Sequence, residues 1–562
     1  LEELVRLRLL ILALCLIIAG PSAFASQSGL QTKAERTNYS ETSRYEDVMQ
    51  FISALQSESP NVKLESFGVT NEARKLPLVI LSNSRVKTPA EATATGKPIV
   101  FVMANIHAGE VEGKEATQQL MRDFIQGPLA SLLNRLIILV APIYNADGNE
   151  RIAITNRTAQ NGPLGGVGVR ENAQGLDLNR DFMKMESPEA RGLIENVFNR
   201  WDPHVVIDLH TTNGSYHGYA LTYAPALNPN TDTRLVSFVR DRLLPDVTKA
   251  LKKRHNYRAY YYGNFVDDTN PQRELVPDRS ATPKAWATFD HRPRFGTNYV
   301  GLRNRIAILS EAYSYLDFRS RVDVTDKFVR TILEFVAAHS AEVANLIREA
   351  DSRANTTGYT AGNETGYGLS FELKKSKQPV EILVGSVTRE IDPRTNRPRL
   401  KATTEARAVS MTEYGEFQAT RRVKAPAAYL LMADQLDAVK LIRAHGIIVE
   451  VLRERAALDV ERFIIKQVKR PERAFQGHKE SRVTASTIAA KEEFAAGSFI
   501  IPMNQPKAAL IFYLLEPESD DGLVNWNYFD AQIDEATKTG GQGAFPVFRL
   551  NSLRGLPREL LR

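Results

Sequence analysis

Cysteine is almost absent from these 562 residues: there is one, Cys15. It sits in an apolar run over 9–19, behind Arg6 and Arg8 and ahead of the small-residue pattern Ala23-Phe24-Ala25. Those are the three regions of a secretory signal peptide. Residues 1–25 are therefore expected to be a removed leader, and Leu14, directly before Cys15, argues against lipidation there. The remaining chain then has no disulfide, no thiolate metal site and no cysteine nucleophile. Any metal must be held by histidine and carboxylates. Long apolar runs are lacking too; the N-terminal one is too short to span a bilayer comfortably. The expected product is secreted or periplasmic, with no stable membrane insertion after cleavage. An excess of one charge is also missing. Lys and Arg total 72 against 66 Asp and Glu, a net +6 spread along the chain, so no nucleic-acid footprint is indicated.

The rest is ordinary for a folded protein, with 43% hydrophobic and 25% charged residues. The length exceeds what one core usually serves, so two domains or more are expected. Compact apolar runs over 76–81, 98–106, 136–143, 205–209 and 306–309 suit strands buried on both faces. Amphipathic patterns over 45–55, 114–125, 188–201, 233–253 and 324–350 suit helices between and after them. The alternation predicts an α/β, three-layer catalytic domain over 40–350. A Gly/Thr/Asn-rich stretch follows, and 351–366 is expected to be a linker. Beyond it, 367–562 reads as a smaller β-rich region, with short alternating segments over 380–387, 447–452, 463–468 and 508–515 and one helix over 434–445.

The chemistry gathers at strand ends. The run over 98–106 leads into His107-Ala108-Gly109-Glu110, and the run over 205–209 leads into His210. Open α/β sheets bind ligands at the carboxyl ends of their strands. Two histidines and one carboxylate make a zinc donor set that leaves a position for water. A lone HxxE is a weak signal; with a second histidine at another strand end and the segments described next it becomes a strong one.

Together with further segments in the same order, these residues resemble the M14 family of zinc metallocarboxypeptidases over roughly 40–350. Asn145-Ala146-Asp147-Gly148 is similar to the family's Asn-Pro-Asp-Gly turn. Gly175-Leu176-Asp177-Leu178-Asn179-Arg180-Asp181-Phe182 is similar to its Gly-x-Asp-x-Asn-Arg-Asn-Phe segment, and Val169-Arg170-Glu171-Asn172 to the stretch with its oxyanion arginine. The segment over 306–312 resembles the final strand with its catalytic glutamate, here Glu311. The resemblance implies a mixed sheet flanked by helices and one Zn2+ held by His107, Glu110 and His210. It implies Glu311 as general base toward a zinc-activated water and Arg170 as oxyanion stabiliser. Asn179 and Arg180 would bind the terminal carboxylate of a peptide or protein substrate, and Asp177 would orient His107. Tyr299 is the candidate for a substrate-covering tyrosine.

Two departures accompany the match. Gly109 stands where pancreatic-type members carry arginine, and Asp181 replaces an asparagine beside the carboxylate-binding pair. Two other readings stay open at this point: an amide hydrolase acting on peptidoglycan stem peptides or acyl-amino acids, and a silent peptide-binding module.

Overall fold

In a computed structural model of the chain, the described residues are 30–83, 86–212, 214–274, 283–357, 366–393, 395–538 and 545–561. The expected leader, residues 1–25, lies outside them. The predicted apolar runs all become strands, because their aliphatic side chains have two faces to bury. The full series runs, in chain order, β1 (Val62–Val69), β2 (Lys75–Leu81), β3 (Ile99–Ala104), β4 (Ile137–Ala141), β5 (Val205–Thr212), β6 (Leu221–Pro225) and β7 (Ala259–Tyr261). After them come β8 (Asn264–Asp267), β9 (Asn270–Glu274), β10 (Ala285–Ala287) and β11 (Ile306–Tyr313). The predicted runs are β2, β3, β4, β5 and β11 of this series. One eight-stranded mixed sheet has the order β1-β2-β4-β3-β5-β11-β6-β7. Its centre, β4, β3, β5 and β11, is parallel. The carboxyl ends of these strands therefore share one edge.

Helices flank the sheet. Tyr45–Glu58 buries Val48, Phe51, Ile52 and Leu55, the stripe that its spacing predicts. The helix expected over 324–350 is instead two, Phe318–Ala338 and Ser340–Thr357. The break falls at His339, whose backbone N–H and ring Nδ1 both turn back to the carbonyl of Phe335.

The C-terminal region is β-rich, with β12 (Tyr367–Lys374), β13 (Val380–Asp392), β14 (Arg397–Tyr414) and β15 (Glu416–Val423). A seven-stranded sheet then forms from β16 (Ala428–Leu431), β17 (Glu450–Leu452), β18 (Ala456–Lys469), β19 (Arg482–Phe494), β20 (Phe499–Pro502), β21 (Val547–Leu550) and β22 (Arg558–Leu560). The segment over 508–515, expected among the alternating strands, is a helix with all eight residues buried. An element apolar on every side carries no periodicity to read. The last two residues of β10 and of β14 are Trp286 and Ala287 beside Glu413 and Tyr414, paired in parallel, so one five-stranded sheet, β13-β14-β10-β8-β9, draws strands from both sides of the 351–366 stretch.

Candidate metal centre and substrate site

β3 is followed directly by Asn105, which adopts a left-handed φ of 65° and reverses the chain toward the site. Its side-chain amide donates to the carbonyls of Ala108 and Glu110, and Glu110 N–H donates to the carbonyl of His107 at 2.9 Å. This strapped turn aims His107 and Glu110 at one point before the helix Glu112–Gln126 begins. Gly109 is required at its apex. A Cβ there would lie 2.5 Å from Cγ of Arg157 and 2.8 Å from the carbonyl oxygen of Gly168. Arg157 crosses that gap and donates to Glu110 Oε1 at 2.6 Å. Arg157 belongs to no motif in the sequence; the glycine at 109 is its only trace.

His210 comes from β5, beside Glu311 of the parallel neighbour β11. The Nδ1 atoms of His107 and His210 lie 3.1 and 3.0 Å from the two oxygens of Glu110. Ligand atoms from these three buried residues lie within 4.8 Å of one another. The set fits zinc in donor type and number. It also fits in charge. Burial alone would push the Glu110 carboxyl up, yet His107 and Arg157 hold it well below the usual carboxylate range, as a ligand must be. Burial would draw His210 down, but Asp208 and Glu110 hold its pKa well above the usual histidine value. Negative charge therefore faces the His210 ring. Asp208 adds to it: Oδ2 is 3.0 Å from His210 Nε2, but too poorly aligned for either to count as hydrogen-bonded.

Asp177 is the hub of the neighbouring wall. One of its oxygens meets His107 Nε2 at 3.0 Å and accepts from Asn179 N–H at 2.9 Å. The other accepts from Arg170 Nε at 2.9 Å. Burial would raise its pKa, but the hydrogen bond from His107 and the charges of His107, Arg180 and Arg170 hold it far below the ordinary range. Asn145, from the expected turn, bonds the backbone of Gly148 and of Arg170 and so fixes where the arginine starts.

Asn179 Oδ1 accepts from Gly296 N–H at 2.9 Å, which assigns the opposite edge of its amide as donor. Arg180 lies 4.0 Å over the ring of Phe295 and donates to its neighbour's carbonyl, that of Asn179. Asp181 does not burden this pair. It is fully buried and accepts from Lys184 Nζ at 2.8 Å and from the backbone of Glu186 and Ser187, so its charge is neutralised in the turn. Glu311 is partly open to solvent. Burial pushes its carboxyl up to about 8, with the negative charges of Glu110, Asp208 and Glu112 reinforcing the shift and His210 opposing it.

Tyr299 does not meet its expectation. It has no exposed surface, and its hydroxyl lies 2.8 Å from His445 Nδ1 and accepts from Arg303. Held inside the helix Gly296–Leu302, it packs and cannot cover a substrate.

Residues 48–298 match the model of the peptidase M14 family, described as zinc carboxypeptidase. "Carboxypeptidase 2" of Trichophyton equinum is 24% identical over 86% of this chain and 81% of its own length. "Carboxypeptidase D" of Homo sapiens is 28% identical over a shorter stretch, 28% of this chain and 11% of that protein. A solved metallo-carboxypeptidase from Burkholderia cenocepacia is 17% identical, covering 54% of this chain and 71% of that one at a TM-score of 0.38.

Proposed function

Because this chain belongs to the M14 zinc carboxypeptidases through residues 48–298, and is on that ground a peptide hydrolase, we propose that it is exported and removes C-terminal residues from peptides. The export reading rests on the leader-like residues 1–25 alone. One observation carries the rest: Asp177 ties the metal-binding turn, through His107, to Arg170 and to the Asn179–Arg180 turn.

His107, Glu110 and His210 would hold the zinc, which when bound supplies Lewis acidity toward a water and the scissile carbonyl. The guanidinium of Arg180 and the amide of Asn179 hold the substrate's terminal carboxylate; a planar fork suits a carboxylate better than an ammonium does. Phe295, stacked on Arg180, shields that ion pair from water. Arg170 keeps a fixed positive charge beside the carbonyl oxygen that becomes anionic. The Glu311 carboxylate accepts the proton of the attacking water and returns it to the leaving amine. Its raised pKa suits a group that must both take and give a proton; a divalent cation held nearby would draw that value down.

The test is hydrolysis of matched peptides with free or amidated C-termini, with zinc and after chelation. Cleavage of the free acids alone, lost on chelation, is the expected result. A Glu311→Gln enzyme should bind zinc normally and lose about 100- to 10,000-fold in rate. Equal cleavage of both peptides would overturn the exopeptidase reading, and full activity of the variant would overturn the role of Glu311.

A further inference from the structure

Residues far beyond the matched 48–298 segment reach the carboxylate-binding turn. Between β18 and β19 the chain forms a tip in which Phe475 and His478 exchange both backbone hydrogen bonds, at 2.8 and 3.0 Å. The two central residues, Gln476 and Gly477, have φ of 50° and 84°. That is a type I′ turn, which normally favours Asn-Gly. Gln476 is thus an unfavoured choice for the turn itself, and its longer side chain has a use outside it. Its Oε1 accepts from the backbone N–H of Asp177 at 2.9 Å, across 299 positions of sequence.

Two other contacts converge on the same place. His478 Nε2 meets Glu186 Oε1 at 2.6 Å, and Glu186 bonds Lys184, the partner of Asp181. From the far side, the backbone and guanidinium of Arg294 are gripped by Asp521 at 2.6 and 2.9 Å, and the guanidinium also by Glu480. Arg294 is followed directly by Phe295 and Gly296, which contact Arg180 and Asn179. The C-terminal region thus holds the carboxylate-binding pair both from the turn it belongs to and from the segment behind it.

We propose that the C-terminal region completes the substrate-carboxylate site, with Gln476 as a positioning residue that locks the 177–180 turn in its binding geometry. This rests on the carboxypeptidase reading above. Gln476 takes no part in the proton transfers; it acts through Asp177 on Asn179 and Arg180. The contact is a single hydrogen bond, and its loss is worth roughly 2- to 10-fold.

Gln476→Asn in the full-length protein is the discriminating variant. Asparagine strengthens the type I′ turn while its side chain is one methylene too short to reach Asp177. Two quantities are read: hydrogen exchange at the Asp177 amide, and KM for a peptide with a free C-terminus. The expected result is faster exchange and a KM about 2- to 10-fold higher, with kcat falling less than KM rises and the melting temperature not lowered. Gln476→Glu keeps an acceptor oxygen at the same reach and should restore the amide protection. Unchanged exchange overturns the proposal. So does faster exchange with unchanged KM, since the contact would then serve the fold alone. If the unmodified enzyme ignores the terminal carboxylate, the carboxypeptidase reading fails instead, and the exchange measurement still decides whether Gln476 holds the turn.

Discussion

His107 Nε2 and Asp177 Oδ1 lie 3.0 Å apart, which leaves Nδ1 of the same ring facing the Glu110 carboxylate. A carboxylate can only accept, so it keeps the proton on Nε2 and leaves the lone pair on Nδ1. Asparagine at 177 could donate instead and stabilise the other tautomer. Asp177→Asn is expected to weaken zinc binding about 10- to 100-fold, measured by competition with a chelator. Unaltered zinc affinity would remove Asp177 from this role.

Gly109→Ala probes the crossing of Arg157 over the metal-binding turn. The new methyl group would collide with a flexible side chain on one side and with the Gly168 carbonyl on the other. Overpacking of this kind costs about 1–3 kcal/mol. Lower thermal stability and lower zinc content are expected together. Adding Arg157→Ala should recover only part of the loss, because the backbone obstacle remains.

Tyr299→Phe separates packing from catalysis. The hydroxyl removed is the partner of a buried His445 nitrogen, so about 1–3 kcal/mol of stability is expected to go. kcat/KM at a temperature where the variant is folded should stay within about twofold, the size expected of a change remote from the reacting atoms. A fall in kcat far beyond that would return Tyr299 to the substrate.

The Glu186–His478 pair makes stability depend on pH in a set direction. Burial would raise the Glu186 carboxyl, but the hydrogen bonds from His478 and Lys184 draw it down to about 2. The hydrogen bond to Glu186 raises His478, against burial, above its usual 6.5. The glutamate's contribution is present above about 4.5 and lost as pH falls through about 2. The histidine's is present below about 6.5 and lost as pH rises through its elevated value. The difference in melting temperature between wild type and Glu186→Gln should therefore be largest between those two limits and shrink toward alkaline pH. A gap that widens at high pH would contradict the pairing.

The candidate metal ligands were legible because His107 follows the apolar strand β3 and His210 follows the largely apolar start of β5, where a histidine stands out from its surroundings. Helix Tyr45–Glu58 was legible for the opposite reason, a clear difference between its two faces. Helix Ala508–Leu515 has no such difference and passed for a strand. Asp181 looked like a stray charge because Lys184, three residues on, is an ordinary lysine in sequence and a fully buried ion-pair partner in space. Tyr299 was misread because nothing local distinguishes a tyrosine that packs from one that moves. Gln476 was beyond reach: hydrogen bonds between side chain and backbone at such separations leave no periodicity and no motif.

The parallel pairing of β14 with β10 has a consequence for how this chain can be altered. A neighbour shared along a backbone ladder cannot be exchanged like a cassette. Removing everything after Thr357 would strip β10 of its partner on one side and expose a bare strand edge, an invitation to aggregation. Grafts and affinity tags are better tolerated at a hairpin tip that faces solvent than at the junction that looks most like a seam.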